Sequence, residues 1–198
     1  MNSGEQNASQ NVNLFSKSFY FDGRLANTQR TRWRESDVEF GRGWDYVEVL
    51  DSNSLDLVTA MTIEMWAQVT SLVSSDVDIF LNKKDSYELG IAATNDYMPQ
   101  QNFAFALSIN GSWAGWYDGR QRLEFGQWHH VATTYNGELA NAYVDGVLTA
   151  SYTAVGQIDE RDTTLRIGAR GTGEYSHSLI DEVRVWDIAR TQQEIQLA

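Results

Sequence analysis

Polar and apolar side chains alternate with a period of two along most of this chain. In "MTIEMWAQV", Met61 to Val69, the residues Ile63, Met65, Ala67 and Val69 fall on one side and Glu64, Trp66 and Gln68 on the other. This pattern predicts a strand with one face against a core. "VDIFLN" (77–82) and "YELGIAA" (87–93) form a second pair around the turn-like "KKDS". "FAFALSI" (103–109) runs into Asn110-Gly111, and "WHHVATTY" (128–135) into Asn136-Gly137. "ANAYVDGVLTASYT" (140–153) carries an Asp-Gly turn at its centre. Such dipeptides supply the left-handed backbone that tight hairpins need. "TTLRIGA" (163–169) and "SLIDEVRVW" (178–186) complete the set. One short helix is predicted over Thr191 to Leu197, with Thr191 as N-cap and Glu194 as its reciprocal partner.

Short strands with turn signals every ~8–12 residues predict an all-β fold, a two-sheet antiparallel sandwich or a barrel. The single proline, Pro99, leaves the strands unbroken. There is no recurring unit and no Pro-rich or Gly/Ser-rich linker, so 14–198 reads as one domain preceded by a polar arm, 1–13. The formal net charge of −12 argues against a generic nucleic-acid binder, which needs a basic face, and against docking on anionic lipid. No apolar run reaches membrane-spanning length, so no membrane insertion is expected. The chain has no cysteine, which removes disulfide and thiolate chemistry. Residues 1–13 lack the basic and apolar regions of a signal peptide. That leaves open a removed leader, an excised domain or another export route.

Several phrases occur in one order: "DYVEVLDSNSLDL", "MTIEMWAQV", "FLNKKDSYELGI", "FGQWHHVATTYNGELANAYVDGVLTAS", "LRIGARG" and "LIDEVRVWDIARTQQEI". Together, over roughly 38–198, they resemble the concanavalin A-like jelly roll of the laminin-G-like and pentraxin-like group, the bacterial laminin-G-like domains most. The resemblance implies two antiparallel sheets, one of them concave, and functions ranging from glycan binding to adhesion. Fold does not choose among these.

Some relatives of this fold are glycanases with the strand motif E-x-D-x-x-E, which sets alternate carboxylates on one face. The motif is missing here. Asp181 and Glu182 are adjacent and face opposite ways on a strand, and Asp187 lies about 20 Å from Asp181 along it. The lyases of this architecture use His and Tyr on the concave sheet. His129, His130 and Tyr135 belong to the family's structural phrase and read as structural, as do Trp66, Trp128 and Trp186, which read as core. The resemblance also implies a structural Ca²⁺, held by hard oxygen ligands. Its carboxylates would be Asp181, from the closing phrase, and Asp22, from "YFDG", because Gly41 stands where the usual opening Asp would be. The alternatives are a turn residue for Asp22 and a backbone cap for Asp181.

Carbohydrate sites present flat aromatics to the apolar faces of sugar rings and polar neighbours to the hydroxyls. Trp113, Trp116 and Tyr117 in "NGSWAGWYDGRQR" suit that role, with Asp118, Arg120 and Arg122 as hydrogen-bonding partners and 94–102 flanking the surface. The alternative is that Trp113 and Trp116, an odd number of residues apart, point to opposite faces of one strand. "SFYFDG" and "VEFGRGWDYVEV" begin alike, and only the second has the family's continuation. "SFYFDGR" therefore reads as an extra or displaced first strand, with an insertion around 24–37 before the normal one. Arg24, Arg30, Arg32 and Arg34, with Trp33, hold four of the fifteen basic residues. Arg32 and Trp33 are candidate contacts to an acidic glycan or acidic protein surface. The alternative is that these arginines neutralise the protein's own acidic surface. The leading expectation is a non-catalytic carbohydrate-binding or adhesion module at the cell surface or outside the cell. A structural protein, such as a virion decoration or surface-layer subunit forming a homo-oligomer or larger assembly through 1–37, is the alternative. A divergent polysaccharide hydrolase or lyase is the third reading.

Overall fold

The computed structural model describes residues 46–71, 77–92, 102–171 and 174–197, and the backbone of 11–13, 19–20, 32–33 and 38–39. Asp22, Arg24, Arg30, Arg34, Gly41 and most of 94–102 lie outside the described residues. In chain order the strands are β1 (Asn11–Asn13), β2 (Phe19–Tyr20), β3 (Arg32–Trp33), β4 (Val38–Glu39), β5 (Val47–Val49), β6 (Met61–Val69), β7 (Val77–Lys83), β8 (Tyr87–Ala92) and β9 (Asn102–Ile109). They continue as β10 (Ser112–Arg122), β11 (Trp128–Tyr135), β12 (Leu139–Val144), β13 (Val147–Thr153), β14 (Leu165–Ile167), β15 (Ala169–Arg170), β16 (Glu174–Tyr175) and β17 (Ser178–Trp186). The helix α1 is Gln192–Ile195.

The strands form two large antiparallel sheets. One runs β1-β17-β6-β11-β12-β13, with β4 also on β17; the other runs β10-β9-β8-β7-β14-β5. Their facing sides meet in one apolar core that includes Met61, Ile63, Met65, Phe80, Leu89, Phe103, Phe105, Leu107, Val131 and Val185. The alternation read from the sequence sorts these residues inward. Burial of such side chains supplies the main favourable term of folding. All three hairpins form, but at Asn136-Gly137 only the glycine has positive φ, and the loop of 136–139 is held by the Asn136 Oδ1, which accepts from the Glu138 and Leu139 N–H. Asn110 and Gly111 take φ 52° and 83°, and Asp145 and Gly146 take 51° and 74°, the backbone of type I′ turns. The capping box also forms: Thr191 accepts from the Glu194 N–H, and the Glu194 carboxylate accepts from the Thr191 N–H at 2.7 Å.

The amino-terminal segment takes a form the sequence only half predicts. β1 pairs with β17 from Asn11↔Trp186 to Asn13↔Arg184. β4 pairs further down the same strand, at Ile180↔Val38 and Leu179↔Glu39. Both run antiparallel to β17 on the edge opposite β6, so they read as two pieces of one edge strand, with 14–37 an excursion between them. Within the excursion β2 and β3 pair only with each other, Phe19↔Trp33 and Tyr20↔Arg32. Of "SFYFDGR" the described residues are Phe19–Tyr20, which pair with β3, and the end of the supposed arm, Asn11–Asn13, belongs to the sheet.

Trp66 and Trp186 are not core residues. They sit half-buried on the outer face of the seven-stranded sheet, where Trp186 donates to Glu64 at 3.1 Å and lies under Arg190. Glu64 is fully buried and also accepts from Arg190 Nη1 at 2.5 Å. Thr62 donates to the Ile188 carbonyl and accepts from the Arg190 N–H, which ties the carboxy-terminal segment across this face.

Candidate functional site

The outer face of the six-stranded sheet carries a trough of about 990 Å³. Its floor is a row of directly paired residues, Trp116, Ala106, Glu88, Asn82 and Arg166, and the row continues to Glu48 on β5 beyond the trough's lining. Directly opposed side chains share a face and lie in contact range. The other face of the same strands carries Leu81, Leu89, Phe105 and Leu107 into the core.

A β-bulge decides the fate of the two tryptophans. Trp113 pairs with Ser108 and Trp116 with Ala106, and the register shifts between them. β10 therefore advances three residues while β9 advances two. Ser108 and Ala106 share a face, so their partners do as well. Gly115, with φ 84°, sits inside the bulge and supplies the left-handed backbone. The odd spacing that argued for opposite faces is absorbed, and both indoles line the trough, Trp113 with 41% of its surface exposed.

Opposite them, the ribbon of β15 and β16 lies beside β7, anchored where Gly168 N–H donates to the Phe80 carbonyl and Ser176 N–H to that of Gly168. It brings Arg170 over the sheet. Arg170 donates from Nε and Nη2 to Glu88 and from Nη1 to Glu174 at 2.9 Å, and its guanidinium lies 5.6 Å from the Trp116 ring centre. Asn82 donates to Glu88 at 2.7 Å. Arg166 donates to Glu48 at 3.0 Å and to the Gly171 carbonyl, with its face over Tyr46. Burial pushes the Glu88 carboxyl up, against the opposing pull of Arg170. Lys84, Asp85, Thr163 and Thr164 complete the rim.

The other predicted contacts lie elsewhere. Tyr117 pairs with Phe105 on the core side, and its ring stacks 5.0 Å from those of Phe105 and Tyr152, so it faces away from the trough. Asp118 accepts from Asn102 and from the Arg120 N–H, which holds the positive-φ turn at Arg120. Arg120 lies over Tyr152 and Arg122 pairs with Glu124. These two arginines do not line the trough. For Arg32 and Trp33 only the backbone pairing is described. Asn82, Glu88, Arg166, Arg170 and Glu174 were missed by sequence reasoning. The available signal was Glu88, a carboxylate at an outward position of a strand otherwise rich in core residues.

His129, His130 and Tyr135 stand on β11, in the other sheet. His129 bonds Asp145 through Nδ1 at 2.9 Å and accepts from the Glu124 N–H through Nε2, which fixes its tautomer. Burial pushes His130 down to about 4, so its 3.8 Å approach to Glu64 is not an ion pair at neutral pH. Asp181 accepts from the Glu182 N–H at 2.7 Å, as a backbone cap would. Among the described residues no three His, Asp or Glu side chains gather into a metal site. Asp22, the other carboxylate of the calcium expectation, lies outside the described residues. No helix among the described residues is long and apolar enough to cross a membrane.

A sequence profile of the concanavalin A-like lectin/glucanases superfamily matches residues 40–196. Solved structures with a similar fold include domain 4 of AbnA, a GH43 extracellular arabinanase from Geobacillus stearothermophilus, in complex with arabinotriose. It has a TM-score of 0.60 and 20% identity over 76% of this chain and 70% of that one. A putative carbohydrate binding protein from Bacteroides ovatus matches with a TM-score of 0.64 and 20% identity, over 80% of this chain and 45% of its own. A heptameric SAP-like pentraxin from Limulus polyphemus matches with a TM-score of 0.54 and 18% identity, over 70% and 69%. No curated protein sequence matches the chain.

Proposed function

The chain belongs to the concanavalin A-like lectin/glucanase superfamily, and from that premise we propose that it is a non-catalytic carbohydrate-binding module whose ligand lies in the trough of the six-stranded sheet. The observation that carries this reading is the bulge at Gly115, which turns Trp113 and Trp116 to one face beside a row of hydrogen-bonding side chains. Two flat indoles offer stacking surface for the C–H faces of sugar rings, and the polar row offers partners for hydroxyls. Two structural neighbours, one bound to arabinotriose and the other a putative carbohydrate binding protein, agree with it.

A hydrolytic reading finds less support. Glu88 and Glu174, two acids that line the trough, share one arginine. Both carboxylates are already engaged by that guanidinium, and the E-x-D-x-x-E strand motif is missing. The assembly reading loses part of its basis, because Asn11–Asn13 pairs within its own chain. A surface or extracellular setting fits a module that meets polysaccharide. The test is binding of the full chain to an array of oligosaccharides, repeated with Trp113→Ala and Trp116→Ala. At least one glycan is expected to bind and to be lost in both variants; binding that survives both substitutions would sink the proposal.

A further inference from the structure

The trough holds Lys84, Arg166 and Arg170 against Asp85, Glu88 and Glu174, so its formal charges cancel. The cancellation is also local. Arg170 places Nε and Nη2 on Glu88 at 2.5 to 3.1 Å. It places Nη1 on Glu174 and its face over Trp116. Arg166 is held in the same way by Glu48, the Gly171 carbonyl and Tyr46. A ligand carboxylate or sulfate gains most from a free guanidinium edge, and the protein already occupies these edges. Recruiting Arg170 would strip the partner from Glu88, which is 5% exposed, and an unpaired buried carboxylate is costly. Lys84 is exposed, and a hydrated surface charge contributes little. The net charge of −12 repels anions at long range.

We infer that the trough takes an uncharged glycan segment, and that Arg170 is the positioning residue that excludes anionic sugars. This rests on the reading of the trough as a carbohydrate site. Uncharged rings fit what remains on offer: the indoles of Trp113 and Trp116, and the hydroxyl oxygens of Thr163 and Thr164, which donate to the Lys84 carbonyl and to Glu48 and can still accept from a sugar hydroxyl. At about 990 Å³ the space stands at the upper end of the ~300–1,000 Å³ usual for small-molecule sites, which suits an oligosaccharide better than one ring.

The experiment is affinity electrophoresis of the full chain in gels holding a neutral polymer (arabinan, galactan, xylan or β-glucan) or an anionic one (polygalacturonate or a sulfated galactan). Each gel is run at about 20 and about 300 mM salt, which spans strong and weak screening. Retardation is expected from at least one neutral polymer and from neither anionic one, changing less than about twofold with salt. Trp113→Ala, at an exposed position, should lower the neutral affinity about tenfold. Glu174→Ala, which removes the acceptor and frees Nη1 of Arg170, should add salt-sensitive retardation by polygalacturonate; a variant still blind to it would overturn the role given to Arg170. Wild-type retardation by an anionic polymer that is weakened by both salt and Trp113→Ala would overturn the neutral ligand and leave the carbohydrate site standing. Retardation by no polymer, or retardation indifferent to both Trp113→Ala and Trp116→Ala, would overturn both.

Discussion

Arg170 does three things with one planar group: it pairs two carboxylates and covers an indole. Lysine, with a single point charge, cannot do this. The Glu88 side of the arrangement is the more consequential, because Glu88 is buried while Glu174 is partly exposed. Arg170→Met should lower unfolding free energy by about 2 kcal/mol, less than a fully buried pair because Arg170 is itself part-exposed. Adding Glu88→Gln, which removes the orphaned charge and keeps an acceptor for Asn82, should restore about 1 kcal/mol of that. Urea unfolding of the two single variants and the double variant reads the coupling directly. Purely additive effects would mean that the pair contributes nothing to stability. None of this was legible in the sequence. Glu88 and Arg170 stand in different strands 82 positions apart, and no local pattern says that a ribbon after β14 folds back over β8.

Elements whose geometry is set within a few residues were legible. The Asn110-Gly111 and Asp145-Gly146 hairpins and the capping box at Thr191 follow from backbone chemistry inside one turn, and all three were found where the sequence put them. The bulge in β10 was not legible, because a bulge exists only relative to the partner strand, and strict alternation assigned Trp113 and Trp116 to opposite faces. Gly115 is the residue to test. A methyl group there meets nothing within 4 Å, so Gly115→Ala perturbs only the left-handed backbone, at about 1 kcal/mol. The melting temperature should fall by about 2–4 °C, while glycan affinity should fall more than tenfold if the strand straightens and turns one indole inward. A parallel loss of a few degrees with unchanged affinity would mean that the bulge survives without its glycine. The interrupted edge strand makes a second prediction at this scale. Replacing 14–37 by a short glycine-rich bridge between β1 and β4 should leave the pairing with β17 and the melting temperature largely intact, since both pieces already sit in register on one strand. A collapse of the thermal transition would show the excursion to be part of the fold.

Across the whole molecule, two buried groups give stability opposite slopes over one pH range. Asp78, 1% exposed, accepts twice from the His177 N–H, yet burial pushes its carboxyl up to about 7. Its folded value lies above its unfolded one, so its contribution is fully present below about pH 4 and is lost as pH rises toward 7. His130 is the reverse case. Burial, helped by Arg184, holds it down at about 4, so its contribution is fully present above about pH 6.5 and is lost as pH falls toward 4. Each slope is on the order of 1.4 kcal/mol per pH unit at most, and between pH 4 and 6.5 they oppose each other. Glu64 and Glu88, also pushed up by burial, add to the Asp78 side. Asp159, held down by Ser108, and Glu194, held down by the Thr191 N–H, add to the other side at the acid end. The wild-type protein should therefore show a shallow stability profile whose flatness conceals two steep terms. Asp78→Asn keeps an acceptor for the His177 N–H and removes the titration, so its stability should climb with pH from 4 to 6.5. His130→Gln removes the opposing term, so its stability should fall over the same interval. Urea unfolding at pH 4, 5, 6 and 7 measures both. Two variant profiles as flat as the wild type would show that neither group titrates differently in the folded and unfolded chain, and two profiles of the same sign would show that one of the burial assignments is wrong.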